Sequence, residues 1–277
     1  MGLSILMSVY GKEKVEYLKP ALQSLYEQKR VPDEVILVKD GPLTEELENV
    51  IEEFVQTRKG FTVISLPEPV QLGRALQEGL KYCSQELIAR MDSDDISLPM
   101  RFEIQSTFME THPDVDVLGG WIEEFSDDGT KCGVRQTPET LADIRSYLKF
   151  RNPMNHVTVM FRKASVLEAG GYQHVPGFED YDLWTRMLQQ GKIFQNLPEI
   201  FVEVRTNPDM YGRRGGMAYF KRNAAFRKKQ YKRKVINLVE YLLSLGIAFF
   251  VAIQPIGLRK LLYQKILRKR GTAGAGK

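Results

Sequence analysis

The first ninety residues alternate short apolar runs with stretches whose apolar residues recur every three or four positions, and few folds accommodate that alternation. Residues 4–9 read as a strand, and residues 14–28 as a helix with Val15, Leu18, Leu22, Leu25 and Tyr26 at helical spacing. A second strand over 34–38 is closed by Asp40-Gly41-Pro42. A helix over 43–56 comes next, with Leu47, Val50, Ile51 and Phe54 on one face. Strands over 61–66 and 87–91 flank a helix over 73–81. Strand alternating with helix across short loops predicts an α/β chain with an open, mainly parallel sheet. Such sheets bind ligands at the carboxyl ends of their strands. Tyr10, Asp40 and Asp92 all stand just past strand ends, so they should gather along one edge.

The densest chemistry lies where the fourth strand emerges, in Ala89-Arg90-Met91-Asp92-Ser93-Asp94-Asp95, with Pro99 beyond it as a breaker. Carboxylates this close repel one another unless a cation relieves them. A hard divalent ion does so, and Mg²⁺ or Mn²⁺ takes one or two carboxylates plus substrate phosphate. A solvated acidic turn is the plainer alternative. A calcium loop fits poorly: Glu103 stands at the twelfth position, but Ile96 and Ser97 occupy places that need an oxygen ligand and a glycine. Arg90 and Arg101 flank the acids and can neutralise them.

The residues immediately after the first strand exclude other nucleotide-binding sheets. A dinucleotide fold needs Gly-x-Gly-x-x-Gly there, and this chain has Ser8-Val9-Tyr10-Gly11-Lys12-Glu13. Neither a Walker lysine loop nor the glycine- and arginine-rich loop of the sugar nucleotidylyltransferases is present. A metal on Asp92 and Asp94 is the remaining candidate for meeting phosphate charge.

Five runs occur in order: Ser8-Val9-Tyr10, Val38-Lys39-Asp40-Gly41, Gly73-Arg74-Ala75-Leu76, the acidic stretch from Ala89 to Asp95, and Phe178-Glu179-Asp180-Tyr181-Asp182-Leu183-Trp184. Together they resemble the family 2 glycosyltransferases, inverting enzymes of GT-A fold, over roughly residues 1–220. The resemblance implies a divalent metal on Asp92 and Asp94, with Asp92 also facing the nucleotide-sugar diphosphate. It implies nucleotide contacts at Ser8, Val9, Tyr10, Asp40 and Arg74. Where many members carry paired acids, this chain has Lys39-Asp40. It also implies a donor that is a nucleoside diphosphate sugar, most simply a UDP-sugar, and an acceptor hydroxyl on a glycan or lipid-linked oligosaccharide.

Displacement at an anomeric carbon needs a base for the acceptor hydroxyl and charge stabilisation on the leaving diphosphate. Glu179 and Asp180 come after the Pro176-Gly177 turn and open a helix through Leu183, Trp184, Met187 and Leu188. Carboxylates there face a cleft, or serve as plain helix caps. The family motif puts the base at Asp180, with Glu179 second and Asp182 orienting or capping. Asn152-Pro153-Met154-Asn155-His156 resembles the acceptor-lining segment of relatives, though a lone His156 before an apolar run reads first as structural. Arg213-Arg214-Gly215-Gly216 reads as a basic loop able to close over diphosphate, or as a surface turn. Trp184 reads as core.

Charge is segregated along the 277 residues. Residues 221–277 hold fifteen basic residues and one acid, Glu240, for +14, while residues 1–220 hold 24 basic and 34 acidic residues, for −10. The reading is a glycosyltransferase domain over 1–220 and a basic, apolar helical tail over 221–277. An uncharged run over 241–258 is at the lower limit for a span, and basic residues on both sides oppose crossing. A segment lying on an anionic leaflet satisfies both observations, with a core-packing helix and a true span as alternatives. No basic–aromatic pattern suggests nucleic acid as a partner. The N-terminus reads as a first strand rather than a signal peptide. Cys83 and Cys132 read as buried free thiols. The implied location is cytoplasmic, peripheral on the inner face of the cell membrane. Two rivals stay open: a metal-dependent phosphohydrolase, which wants its nucleophilic acids right after the first strand, and a non-catalytic, membrane-docked nucleotide-sugar-binding module.

Overall fold

The computed structural model describes residues 1–206 and 215–255. Its first half alternates as the periodicity requires: β1 (Leu3–Tyr10), α1 (Val15–Tyr26), β2 (Glu34–Asp40), α2 (Glu45–Thr57), β3 (Phe61–Ser65), α3 (Leu72–Tyr82) and β4 (Leu87–Met91). Then come β5 (Ile96–Ser97), α4 (Arg101–Thr111), β6 (Val117–Phe125), β7 (Lys131–Arg135), α5 (Leu141–Leu148), β8 (Met160–Arg162) and α6 (Lys163–Glu168). The chain continues through α7 (Glu179–Gln189), β9 (Phe194–Arg205), α8 (Gly216–Lys232) and α9 (Leu238–Ile253).

One sheet runs β3-β2-β1-β4-β8-β6-β9-β5, with β7 paired to β6. The four strands from β3 to β4 are parallel, β8 runs antiparallel to both β4 and β6, and β9 is parallel to β6. The sheet is therefore mixed, with a parallel half carrying the first three crossovers. Register settles the edge inferred from sequence. Tyr10 stands opposite Asp40, and Met7 opposite Met91, so the chain leaves β1, β2 and β4 at one end.

β1 shows why its run is apolar throughout. Leu3, Ile5, Met7 and Val9 enter a core under α1, α2 and α4, while Leu6 enters the core under α3 and α7. Both faces are covered, which is the condition of a parallel strand between helical layers. On the α3 side, a side chain at Gly79 would come 2.6 Å from both Leu6 and Val38, so glycine lets the helix sit directly on β1 and β2. Trp184 is fully buried, as expected. Cys83 is buried but Cys132 is exposed, against the expectation for the second thiol, because β7 pairs on one side only, beyond the main run of the sheet.

The second half ends in a helical hairpin. Asn237 caps α9: its side chain accepts from Glu240 N while Glu240 accepts from Asn237 N, both at 2.8 Å. The boundary read after residue 220 falls inside α8, whose Phe226 is buried against α7. The second basic run, 259–270, and Arg213-Arg214 lie outside the described residues.

Candidate active site

β4 delivers the acidic stretch to the carboxyl edge of the sheet, and the tertiary structure then divides its carboxylates by role. Asp95 is 2% exposed, and its Oδ1 accepts from Arg205 N at 2.9 Å, which ties the loop to the end of β9. Arg205 also donates through Nε to the Asp94 carbonyl at 3.3 Å. Its guanidinium stands 4.1 Å from the Tyr17 ring and 4.6 Å from the Phe125 ring. Asp92 pairs with the buried Arg90, and Ser93 Oγ donates to Glu13.

Burial pushes the Asp94 carboxyl above its usual range, and the negative charges of Asp92 and Glu13 add to the push. Asp95 is raised too, by burial first and then by Asp94 and Asp92. Such a set is short of positive charge, which is the condition a divalent cation relieves. Among the described residues no three histidine, cysteine or acidic side chains form an all-protein cage. The donor set fits an ion that takes Asp92 and Asp94 and draws its other ligands from phosphate and water, as Mg²⁺ and Mn²⁺ do.

The second pair of acids opens α7. Gly177, at φ +78°, makes the turn that precedes the helix, and its N–H donates to Glu179 Oε2 at 2.8 Å. Asp180 accepts from Tyr181 N at 2.8 Å and from Asn152 Nδ2 at 2.5 Å. Neither acid is the N-cap, a place taken by Phe178. Both are half-buried. Burial first, and then the Asp180 charge, pushes Glu179 up to about 7. Burial also raises Asp180, opposed by Asn152, Tyr181 N–H and the charges of Arg90 and Arg135. Asp182, by contrast, is fully buried and ion-paired to Arg186 at 2.9 Å and Arg233 at 2.7 Å, so it is structural.

Arg90 joins the two groups. It is 1% exposed, pairs with Asp92, and has no hydrogen-bond partner at Nε. Its charge acts on Asp94 and Asp95 on one side and on Glu179 and Asp180 on the other. Arg101, read from sequence as a second neutraliser, instead donates to the Arg90 carbonyl at 2.8 Å. Beneath lies His156, with Nε2 2.9 Å from Tyr172 OH. Burial, then Arg90, holds its pKa well below the usual value, so it stays neutral.

The ends of β1 and β2 lie on the same edge of the sheet, and the start of α3 packs on α7. Gly73, in the first turn of α3, packs so closely on α7 that a Cβ there would meet Glu179 Cβ at 2.9 Å. The exposed Arg74 therefore begins beside Glu179. Tyr10 is exposed at the end of β1, and Ser8 is partly so. Val9 is fully buried, so only its backbone can meet a ligand. Asp40 accepts from Val70 N at 2.6 Å and Gln71 N at 3.1 Å, which makes it the anchor of the loop leading to α3. Lys39 turns away to Glu48 at 2.8 Å. Arg90 thus pairs with Asp92 and acts on Asp94, Glu179 and Asp180, and the close packing of Gly73 sets the Arg74 backbone beside Glu179. Sequence reasoning missed Arg205, whose position carries no motif, and the linking place of Arg90. Surface cavities of about 370 and 520 Å³ have linings that include none of these acids.

The sequence model of glycosyl transferase family 2 matches residues 4–175. The chain is 37% identical over 262 residues to the amylovoran biosynthesis glycosyltransferase AmsE of Erwinia amylovora, covering 95% of this chain and 98% of that one. It is 34% identical to the UDP-Gal:alpha-D-GlcNAc-diphosphoundecaprenol beta-1,3-galactosyltransferase of Escherichia coli, with 96% of each covered. Among solved structures it is similar to S. aureus TarS 1-349 in complex with UDP-GlcNAc, at TM-score 0.61 and 18% identity over 96% of this chain and 88% of that one. The mannosyltransferase PcManGT of Pyrobaculum calidifontis, in complex with GDP-Man and Mn²⁺, is similar at TM-score 0.62 and 14% identity over 95% and 79%. These last two carry the GT-A fold, and the sequence matches carry more: the chain belongs to glycosyl transferase family 2.

Proposed function

We propose that the chain transfers one sugar, with inversion, from a UDP-sugar to a hydroxyl of a lipid-linked saccharide during polysaccharide assembly. The observation that supports this reading is the buried Arg90, which pairs with Asp92 and whose charge acts on Asp94, Glu179 and Asp180. Asp180 takes the proton from the acceptor hydroxyl, and Asn152 holds its carboxylate in place. The acceptor oxygen then bonds to the anomeric carbon as the bond to the diphosphate breaks on the opposite face. The electron pair of that bond leaves with the UDP. A Mg²⁺ or Mn²⁺ ion on Asp92 and Asp94, when bound, stabilises the charge gathering on the leaving diphosphate. Arg74, Tyr10 and Ser8 contact the nucleotide sugar, and Asp40 orders the loop that carries Arg74. The UDP complex and the lipid-diphosphate acceptor named for the relatives support the choice of donor and acceptor. A lipid-linked acceptor in turn puts the enzyme at the inner face of the membrane.

The test is a panel of nucleotide sugars screened by thermal shift with and without Mn²⁺, then transfer to a diphosphate-lipid-linked acceptor. Stabilisation by a UDP-sugar that EDTA removes, together with UDP release dependent on acceptor, is the expected result. If no nucleotide sugar binds, the assignment is wrong.

A further inference from the structure

The α8–α9 hairpin is unlike the rest of the surface. α9 turns a small-residue stripe, Ser244, Ala248 and Ala252, inward at four-residue spacing. Its large residues Leu238, Leu242, Leu243, Ile247, Phe250 and Ile253 are each more than half exposed. Beside it, α8 and the turn after it expose Lys221, Arg222, Lys228, Lys229, Lys232 and Lys234. A soluble surface does not leave such a continuous apolar ridge in water without cover.

We propose that this hairpin lies flat on an anionic lipid leaflet and turns the Asp180 side of the cleft toward the bilayer. Two observations count against a span, and a third selects lipid as the cover. Sixteen helical residues measure about 24 Å, short of the roughly 30 Å hydrocarbon core. No described helix is long and apolar enough to cross a membrane. An apolar helix beside six outward cations matches acyl chains and anionic headgroups together, whereas lysine is depleted from protein–protein interfaces and would repel a second copy.

The orientation comes from how the hairpin is fastened. Phe226 lies 4.9 Å from the Phe178 ring and 4.7 Å from the Tyr181 ring, so it brackets Glu179 and Asp180 in the sequence of α7. Arg227 donates to the Lys149 carbonyl at 2.9 Å and to Tyr181 OH at 3.1 Å. Arg233 pairs with the buried Asp182, and Lys149 with Glu240 at 2.8 Å. The buried side of the hairpin is thus packed onto the helix that carries the proposed base, and its exposed ridge is the surface left to dock. An acceptor whose lipid stays in the leaflet reaches Asp180 from that side, while the donor enters past α3. Calling that side the acceptor side rests on the transferase reading; the docking does not.

The full chain should co-sediment with vesicles of 70% phosphatidylcholine and 30% phosphatidylglycerol, with no donor present. The triple variant Leu242→Asp, Ile247→Asp, Phe250→Asp should lose at least tenfold in vesicle affinity at unchanged far-UV circular dichroism. Lys228→Glu with Lys229→Glu should lose a similar factor, and salt should reproduce that loss. For orientation, a fluorophore at Ser146→Cys on α5, in a Cys132→Ser background, should be quenched by headgroup spin labels. One at Glu52→Cys on α2 should not. Vesicle binding untouched by the triple variant overturns the docking, as does a dimer that the variant splits while vesicles bind neither form. Equal quenching at both sites overturns the orientation. Vesicle binding by a chain that binds no nucleotide sugar would sink the transferase reading and leave the docking standing.

Discussion

Asn152 Nδ2 stands 2.5 Å from Asp180 Oδ2, so the proposed base is held by an amide from the loop before His156. Asp180→Asn should lower kcat by about 10²–10⁴-fold while donor binding persists. Asn152→Ala leaves the carboxylate in place but frees its orientation. Loss of one hydrogen bond to a charged group should cost about ten- to a hundredfold in kcat, with donor Kd unchanged. Single-turnover kinetics and calorimetry separate the two. Loss of donor affinity in Asp180→Asn would move that residue to the donor side.

Burial raises both acids that open α7, Glu179 to about 7 from an ordinary 4.5. The proposed base, Asp180, must be ionised to accept a proton, so the rate should rise as pH climbs above the ordinary carboxylate range. Stability should run the other way. A carboxyl that holds its proton more firmly when folded favours the native state at low pH, so metal-free stability should fall as pH rises from 4.5 toward 7 and then level off. Thermal melts across that window should show the slope reduced in Glu179→Gln. An unchanged slope would assign it to other groups.

Metal dependence should concentrate at Asp94. Asp94→Ala should abolish Mn²⁺ binding measured by electron paramagnetic resonance in the presence of UDP, and should raise metal-free stability by removing a buried, repelled carboxyl. Wild-type UDP affinity unaffected by EDTA would contradict the assignment.

Arg205 supports that loop without being a ligand. Arg205→Met keeps the backbone bond to Asp95 but removes the Nε bond to the Asp94 carbonyl, and should weaken Mn²⁺ binding about 10–100-fold, the range for groups that hold ligands in place. Saturating Mn²⁺ should recover most of kcat. A variant whose defect ignores metal concentration would place Arg205 elsewhere in the cycle.

Phe226 is 1% exposed and stacked on Phe178 at the junction of hairpin and domain. Phe226→Ala should cost about 3–5 kcal/mol of stability, read by chemical denaturation. A loss below about 1 kcal/mol would mean that the hairpin contributes little to the fold.

The alternation of periods in the first ninety residues was enough to read a mainly parallel sheet, and the strand ends were enough to place Tyr10, Asp40 and Asp92 on one edge. Both come from rules of short range: side-chain period marks the element, and a loop begins where the period stops. The family's motifs then named Asp92, Asp94, Glu179 and Asp180, two pairs on which the buried Arg90 acts in common. What tertiary structure alone decided is the division of labour among chemically similar residues. Asp95 and Asp94 are neighbours in sequence, yet only Asp95 is tied through its carboxylate to Arg205, 110 residues away, while Asp94 meets Arg205 through its carbonyl. Asp40, read as a nucleotide contact, also anchors the loop before α3, and Asp182, read as orienting or capping, is a buried ion-pair partner. Cys132 is exposed on a strand that, among the described residues, pairs with β6 alone. A carboxylate's role depends on which donors and charges surround it, and those come from chain segments whose separation no local pattern records.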